Sequence, residues 1–592
     1  MARFVVAISF VLLLSSIVPP SFAQIANVTN DQATPIQAVG HDYVRLLSET
    51  VSPGNGSVSL RMQTPTPRGR LLNMPFGFAY EENGVHHFTT DPNGAPVWAV
   101  DVTPYSRGGW SYLAPLVSYV YGQNVVSGGG QTSTCAYYTA FVYQNGSGER
   151  HALRIASAQP YSSTCLYPAT DVPAGGDDFY AASTVSHYVT PNAQVADSDG
   201  TVYSFGCGPS CQPNTSGDGM IASTIEDRNG NTIKSTTNSQ RGYTFTDTVG
   251  RALISSSSFA SSSGDTITIS GISNPYRVTW KTVGSNFTTP ITPVGGSTCS
   301  VPTNTDQRTV VSTITLPNGQ KYTFLYGTDD PNNSNPYGLL SKITYPSGGW
   351  VKYSYGINSS SDAWGSTIQT GNGSVVCSFL YGTPAVSQRT VSSDGTTVAL
   401  QQTFAYSTNY SGATWTSKTT TVTTHDMVAG QVSETDYIYS PVSVLNPPNM
   451  LGSGGHQVPV EQTITYKDGS ANVLQTVTKT WQDQYLMTQE QVTLGNGGPT
   501  SKTTYTYGSG GQVTEKDEYD FNQSSPTRKT IITYQSFPST PIFTAYASIF
   551  DRPCKTVVYD GTGTNVVSET DTLYDGGTTV CGTGTPLPVA KA

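Results

Sequence analysis

Charge is what this chain has least of. Asp, Glu, Lys and Arg make up 11% of 592 residues, against roughly 25% in an average soluble protein. Runs of Ala, Glu, Lys and Leu at helical spacing are nearly absent, which excludes a helical bundle or coiled coil. No stretch beyond the N-terminus is long and apolar enough to span a bilayer. Nucleophile elbow, Walker loop, HExxH, dinucleotide glycine fingerprint and paired zinc knuckles are all missing, so no catalytic class is marked and no cofactor or metal is expected. The seven histidines are scattered. His86 and His87 are adjacent, and neighbours on a strand face opposite ways, so the pair is not a ligand set. The net charge of −10 argues against nucleic acid as a partner.

What is present is Gly (59), Tyr (36) and abundant Ser, Thr and Val. β-branched and aromatic residues spread along the whole chain suit an antiparallel β protein with polar, uncharged faces. Residues 1–23 read as a signal peptide: Arg3, an apolar run from Phe4 to Val18, then Ser21-Phe22-Ala23 as a small-x-small cleavage site. Cleavage there leaves an exported, secreted, periplasmic or cell-surface chain with no membrane span. All eight cysteines lie beyond that site, and an even count in an exported chain fits disulfides. Neighbour pairing would join Cys135 to Cys165, Cys207 to Cys211, Cys299 to Cys377 and Cys554 to Cys581. Spacing alone leaves the connectivity open.

The clearest local signal is Tyr337 to Gly356, YGLLSKITYPSGGWVKYSYG. Two alternating arms flank Pro346-Ser347-Gly348-Gly349, which is hairpin chemistry. Residues 24–190 read as an N-terminal β domain, 191–360 as a hairpin region and 361–592 as a β-rich, repeat-like region. Within the latter two, a turn precedes an aromatic alternation repeatedly: Pro317-Asn318-Gly319 before Tyr322 to Gly327, Asn496 to Gly498 before Tyr505 to Gly508. Asp-x-x-Gly turns recur at Asp227 and Asp247. Such oxygen-rich turns offer part of a calcium shell, but Asx and glycine chemistry explains them as hairpin turns. The fold class expected is all-β, antiparallel hairpins forming an N-terminal β domain followed by a curved sheet.

Several of these motifs resemble the Rhs/YD-repeat proteins of bacteria. Tyr243-Thr-Phe-Thr-Asp247-Thr-Val-Gly250-Arg251-Ala-Leu253 is similar to the family's Tyr-x-Tyr-Asp-x-x-Gly-Arg-Leu element, with Thr246 in place of the second Tyr. Gly54 to Tyr80 resembles the region before the repeat array; Phe550 to Pro553 and Val558 to Gly561 resemble its later part. The resemblance implies a spiralling sheet that encloses a hollow shell, often around a C-terminal toxin. The family's Pro…Asp-Pro-x-Gly-Leu motif and a toxin-like tail are not seen. The chain therefore looks like the leading part of such a protein or a shortened relative, and its last strand invites a partner chain or a downstream YD-repeat chain.

Tyr137, Tyr138, Trp350, Tyr353, Tyr355, Tyr505 and Tyr507 are candidate stacking platforms for carbohydrate. The same pattern also suits cross-strand pairs that only stabilise a sheet. The functional expectation is a non-catalytic structural or interaction protein, with a carbohydrate-binding surface protein as the alternative.

Overall fold

The hairpin at Tyr337 to Gly356 forms as its alternation dictates. Strands Leu340–Thr344 and Trp350–Thr370 pair with Ile343 opposite Val351. Gly348 takes φ +93°, a conformation that favours glycine, and Tyr345 and Gly349 close the turn by a 2.8 Å backbone bond. In the computed structural model this hairpin is one step of a 27-stranded antiparallel sheet. The structure describes most of residues 44–582; the longer stretches outside it are 1–43, 159–174, 184–191, 207–218, 444–456, 536–551 and 583–592, with short gaps elsewhere. The described fold is all-β, and its one helical turn is the 3-10 turn Glu82–Gly84.

The long sheet starts at Gly175–Gly176 and ends at Val566–Asp571. Hairpin connections alternate between its two rims. One rim carries Asp-led turns. The Asp227 carboxylate accepts N–H bonds from Asn229 and Asn231, and Asp247 does the same with Val249 and Arg251. Asp394, Asp426, Asp468 and Asp560 repeat the device at later turns. An Asx turn satisfies backbone donors that a two-residue reversal leaves open.

Near the opposite rim runs a second regularity. One strand of a pair bulges by one residue, and an aromatic on the following strand donates to the carbonyl beside the bulge. Trp280 faces Val311 at such a shift, and Tyr326 Oη donates to Val311 O at 2.7 Å. Tyr326 faces Leu340, whose carbonyl takes Tyr355 Oη at 2.9 Å. Tyr355 faces Val386, whose carbonyl takes Tyr406 Oη at 2.7 Å. Further on, Trp481 reaches Glu461 O, Tyr507 reaches Met487 O, Tyr534 reaches Val513 O and Tyr574 reaches Pro553 O, all within 2.9 Å. A bulge leaves a carbonyl outside the regular ladder and increases local twist. The aromatic satisfies that acceptor, so the sheet bends without orphaned backbone groups.

The bending winds the sheet onto itself. Roughly 22 inter-strand steps separate Asn192–Asp197 from Pro553–Asp560, about 105 Å of sheet at about 4.8 Å per step. Yet Arg552 Nη2 donates to Asp197 O at 3.0 Å. Asp197 lies on the Asp-turn rim and Arg552 on the opposite rim. The ribbon therefore climbs as it turns, making a spiral and not a closed barrel.

A six-stranded N-terminal sheet fills the inside of this curve. Its strands run in the order Val44–Arg45, Glu49–Val51, Val58–Gln63, Gly77–Glu81, Trp110–Tyr112 and Ser106–Arg107. It touches nine successive strands of the spiral. Tyr112 bonds Asp265, Trp110 bonds Tyr326, Tyr355 bonds Glu82, Arg389 pairs with Glu49, and Thr420 bonds Pro53 O. Eight steps of sheet are about 38 Å wide, against about 24 Å for the plug, so the spiral has to curve around it. Gly56, at φ +75°, marks one close approach: a Cβ there would sit 2.5 Å from Ala385 Cβ. One contiguous core extends from Val51 to Val477. The strands from Thr500 to Tyr534 are half-buried along nearly their whole length. There the sheet is a single layer.

Candidate functional site

The 3-10 turn Glu82–Gly84 brings one carboxylate into the seam between plug and spiral. Val58 N donates to Glu82 Oε2 at 2.8 Å, and Tyr355 Oη donates to it at 3.3 Å. Burial pushes the Glu82 carboxyl up to about 8, against these two hydrogen bonds, which pull it down. A cavity of about 40 Å3 lies beside it, bounded by Asn55, His86, Phe88, Trp98 and Tyr381. His86 is buried and packs edge-on against Trp98. This space suits water or one small group. Among the described residues Glu82 is the one carboxylate lining it, so they do not form the two-carboxylate arrangement of a glycosidase there.

The candidate aromatic platforms separate by environment. Tyr353 is fully buried and Trp350 is 8% exposed, with its Nε1 on Gly395 O. Neither offers a free ring face, which corrects the expectation that they are exposed. Tyr353 faces the plug, whereas Trp350 lies on the other face of the strand with Lys342 and Lys352 over its ring, and nothing in their own alternation signals either. Tyr355 and Tyr507 belong to the aromatic row that caps the bulges. Tyr505 stacks on Tyr507, with centroids 6.5 Å apart. The side chains of Tyr137 and Tyr138 lie outside the described residues.

Two disulfides are formed, Cys299–Cys377 and Cys554–Cys581. They are compatible with an extracellular or periplasmic location. The pairings expected for Cys135 with Cys165 and Cys207 with Cys211, and the signal peptide at 1–23, lie outside the described residues. No helix among the described residues is long and apolar enough to cross a membrane. Nor do the described residues contain a group of three or more His, Cys, Asp or Glu placed to hold a metal ion. The Asp227 carboxylate is used by its own turn. Burial alone would raise it, but the hydrogen bonds from Asn231 and Asn229 bring it below the ordinary range.

Sequence reasoning missed the rim. Of the ten large apolar side chains that stand exposed among the described residues, nine lie at the Asp-turn rim. They are Val249, Met427, Val428, Val432, Leu474, Leu494, Phe521, Val566 and Val567; Leu573 lies elsewhere. Eight of the nine fall on five successive turns of the last strands, from Met427 to Val567. Two strands separate one turn from the next, about 10 Å. Acidic Asp426, Asp468, Asp520 and Asp560 sit beside these apolar tips. The readable signal was an apolar residue inside or beside each late turn, where hairpins normally carry polar ones.

No family model matches the chain, and no curated protein matches it. Among solved structures it is similar to a chain of the Photorhabdus luminescens Tc holotoxin pore, in a TccC3 mutant form. The two share 9% identity over 86% of this chain and 32% of that chain, with a TM-score of 0.10. The chain spans about a third of that chain's length, and a TM-score this low carries no structural argument.

Proposed function

We propose that this is an exported, non-catalytic structural and interaction protein that builds the capped leading part of a hollow β shell of Rhs/YD type. The observation that carries the reading is the plugged spiral. A core sheet is locked inside the first part of the wound ribbon, and the wall then continues as a single layer. A single-layer wall exposing apolar tips at one rim supports contact with another protein there. The acidic groups between the tips favour a partner whose contacting surface is apolar and positively charged. The exposed edge strand Val566–Asp571 supports the addition of further strands.

The test is a photo-crosslinking amino acid at Leu474 or Phe521 in the exported chain, with Leu573 as an equally exposed control off the rim. One discrete protein adduct at the rim sites and none at Leu573 is the expected result. Lipid adducts alone, no adduct, or equal labelling at all three sites would overturn the rim reading. Multiple-turnover hydrolysis by the purified chain would overturn the non-catalytic reading.

A further inference from the structure

The strand Trp350–Thr370 loses register against Gly373–Ser392 at one place. Asn358 pairs with Thr383 and Asp362 with Tyr381, so Ser359, Ser360 and Ser361 stand against Gly382 alone. This is a large bulge, and it is firmly held. Ser361 Oγ lies 2.9 Å from Thr383 Oγ1, and Tyr410 Oη donates to Ser360 O at 2.9 Å. Ser360 takes φ +52°, a strained conformation for a residue with a side chain. Strain held in place by neighbours is a known mark of functional sites.

Beside the bulge lies a cavity of about 270 Å3. Asn358 and Ser359 line one side, Ser387 another, and Phe404 and Tyr406 a third. Asn358 is 8% exposed, and its Oδ1 has no hydrogen-bond partner. An unpaired buried acceptor is costly, so something with a donor belongs there. Phe404 and Tyr406 are nearly parallel, 11° apart, with centroids at 6.4 Å. Tyr406 Oη is committed to Val386 O, which leaves its ring as an apolar surface. Ser387 Oγ donates to Ser354 O at 3.1 Å and keeps its own acceptor capacity. Among the described residues, no carboxylate, lysine, arginine or histidine lines the cavity.

The ligand this chemistry takes is neutral, rich in donors and partly apolar on one face. The volume lies just below the roughly 300 Å3 at which drug-sized pockets begin, so it suits one ring and not a chain of them. We propose that the notch at Asn358 binds a single neutral sugar ring. A hydroxyl donates to Asn358 Oδ1, a second hydroxyl donates to Ser387 Oγ, and the apolar ring face lies on Phe404 and Tyr406. This site is separate from the rim and stands whether or not the chain forms a shell.

The test is saturation-transfer NMR on the disulfide-intact chain with glucose, galactose, mannose and N-acetylglucosamine, each alone at millimolar concentration. Transfer to at least one sugar is expected. Asn358→Ala, which removes the carboxamide, and Ser387→Leu, which fills the cavity, are each expected to weaken binding about tenfold or more. Tyr505→Ala is expected to leave it unchanged. Thermal melting shows whether each variant is folded, and either folded variant decides the question. No transfer to any sugar, meaning that the cavity holds only water, would overturn the proposal. So would transfer that is undiminished in a folded notch variant, or that Tyr505→Ala alone removes.

Discussion

Arg389 and Glu49 lie 340 residues apart in sequence and form a buried ion pair that pins the plug to the spiral. Arg389 Nε reaches Glu49 Oε1 at 3.1 Å, Gln402 accepts from Nη1 at 2.7 Å, and Tyr345 Oη donates to Glu49 at 3.0 Å. Burial works against the guanidinium charge, and Glu49 outweighs it, raising the Arg389 pKa. Removing one partner strands the other in the core, so Arg389→Met is expected to cost about 3–5 kcal/mol. Glu49→Leu added to Arg389→Met should recover part of that loss. Chemical denaturation of both variants checks this, and a double variant no more stable than Arg389→Met alone would refute it.

The aromatic row makes a graded prediction. Tyr507→Phe keeps the ring and removes the hydroxyl from Met487 O, so about 1 kcal/mol is lost. Hydrogen exchange is expected to quicken around Met487 and Thr488 and to stay unchanged at the plug. Uniform quickening across the chain would show that the bulge is not locally capped.

Two sets of carboxyls set opposite pH limits. Folding raises Glu82 from 4.5 to about 8, so its favourable protonated state is present at acid pH and is lost as pH rises through that window. The penalty reaches about 4 kcal/mol at pH 8. The turn carboxylates behave in reverse. Asn472 holds Asp468 below its ordinary value, and Thr562 and Asn565 do so for Asp560. Their contribution is present above the unfolded value and lost as pH falls below it. The melting temperature is therefore expected to peak in mildly acid solution. Glu82→Gln should flatten the alkaline limb and leave the acid limb in place.

Cys299–Cys377 closes a segment of 78 residues, and Cys554–Cys581 one of 27. Loop-closure entropy assigns about 4.5 kcal/mol to the first and about 3.5 kcal/mol to the second. Cys299→Ser with Cys377→Ser should therefore lower the denaturation midpoint more than the corresponding change at the C-terminal pair. The reverse order would show that native-state contacts outweigh chain entropy.

The strands were legible because period-2 alternation and Gly/Asp turns are local signals. Leu340–Thr344 and Trp350–Thr370 fall where the pattern puts them, and the Asp-x-x-Gly turns at 227 and 247 are turns. A curved sheet was expected from the motif resemblance, but the residues that bend it were not legible. The bending depends on where one-residue bulges fall and on aromatics about 15 to 21 residues beyond the carbonyls they cap, as Tyr355 is beyond Leu340. The burial of Tyr353 was hidden for a similar reason, since it packs into one core with plug residues such as Val51 and Val58, about 300 residues away. The notch at Asn358 carries no motif at all, because its parts are an ordinary amide, two serines and two rings on three strands.

The order of the parts along the chain also bears on how the protein is made. Residues 44–112 are made before every strand of the spiral, and they form the body around which the later hairpins lie. The ribbon can thus be laid down like thread on a spool, each new hairpin meeting the last one and a surface already in place. Chains that fold in this sequence avoid pairing early strands with the wrong late ones. Moving the plug to the C-terminus by circular permutation would remove the spool when the thread most needs it.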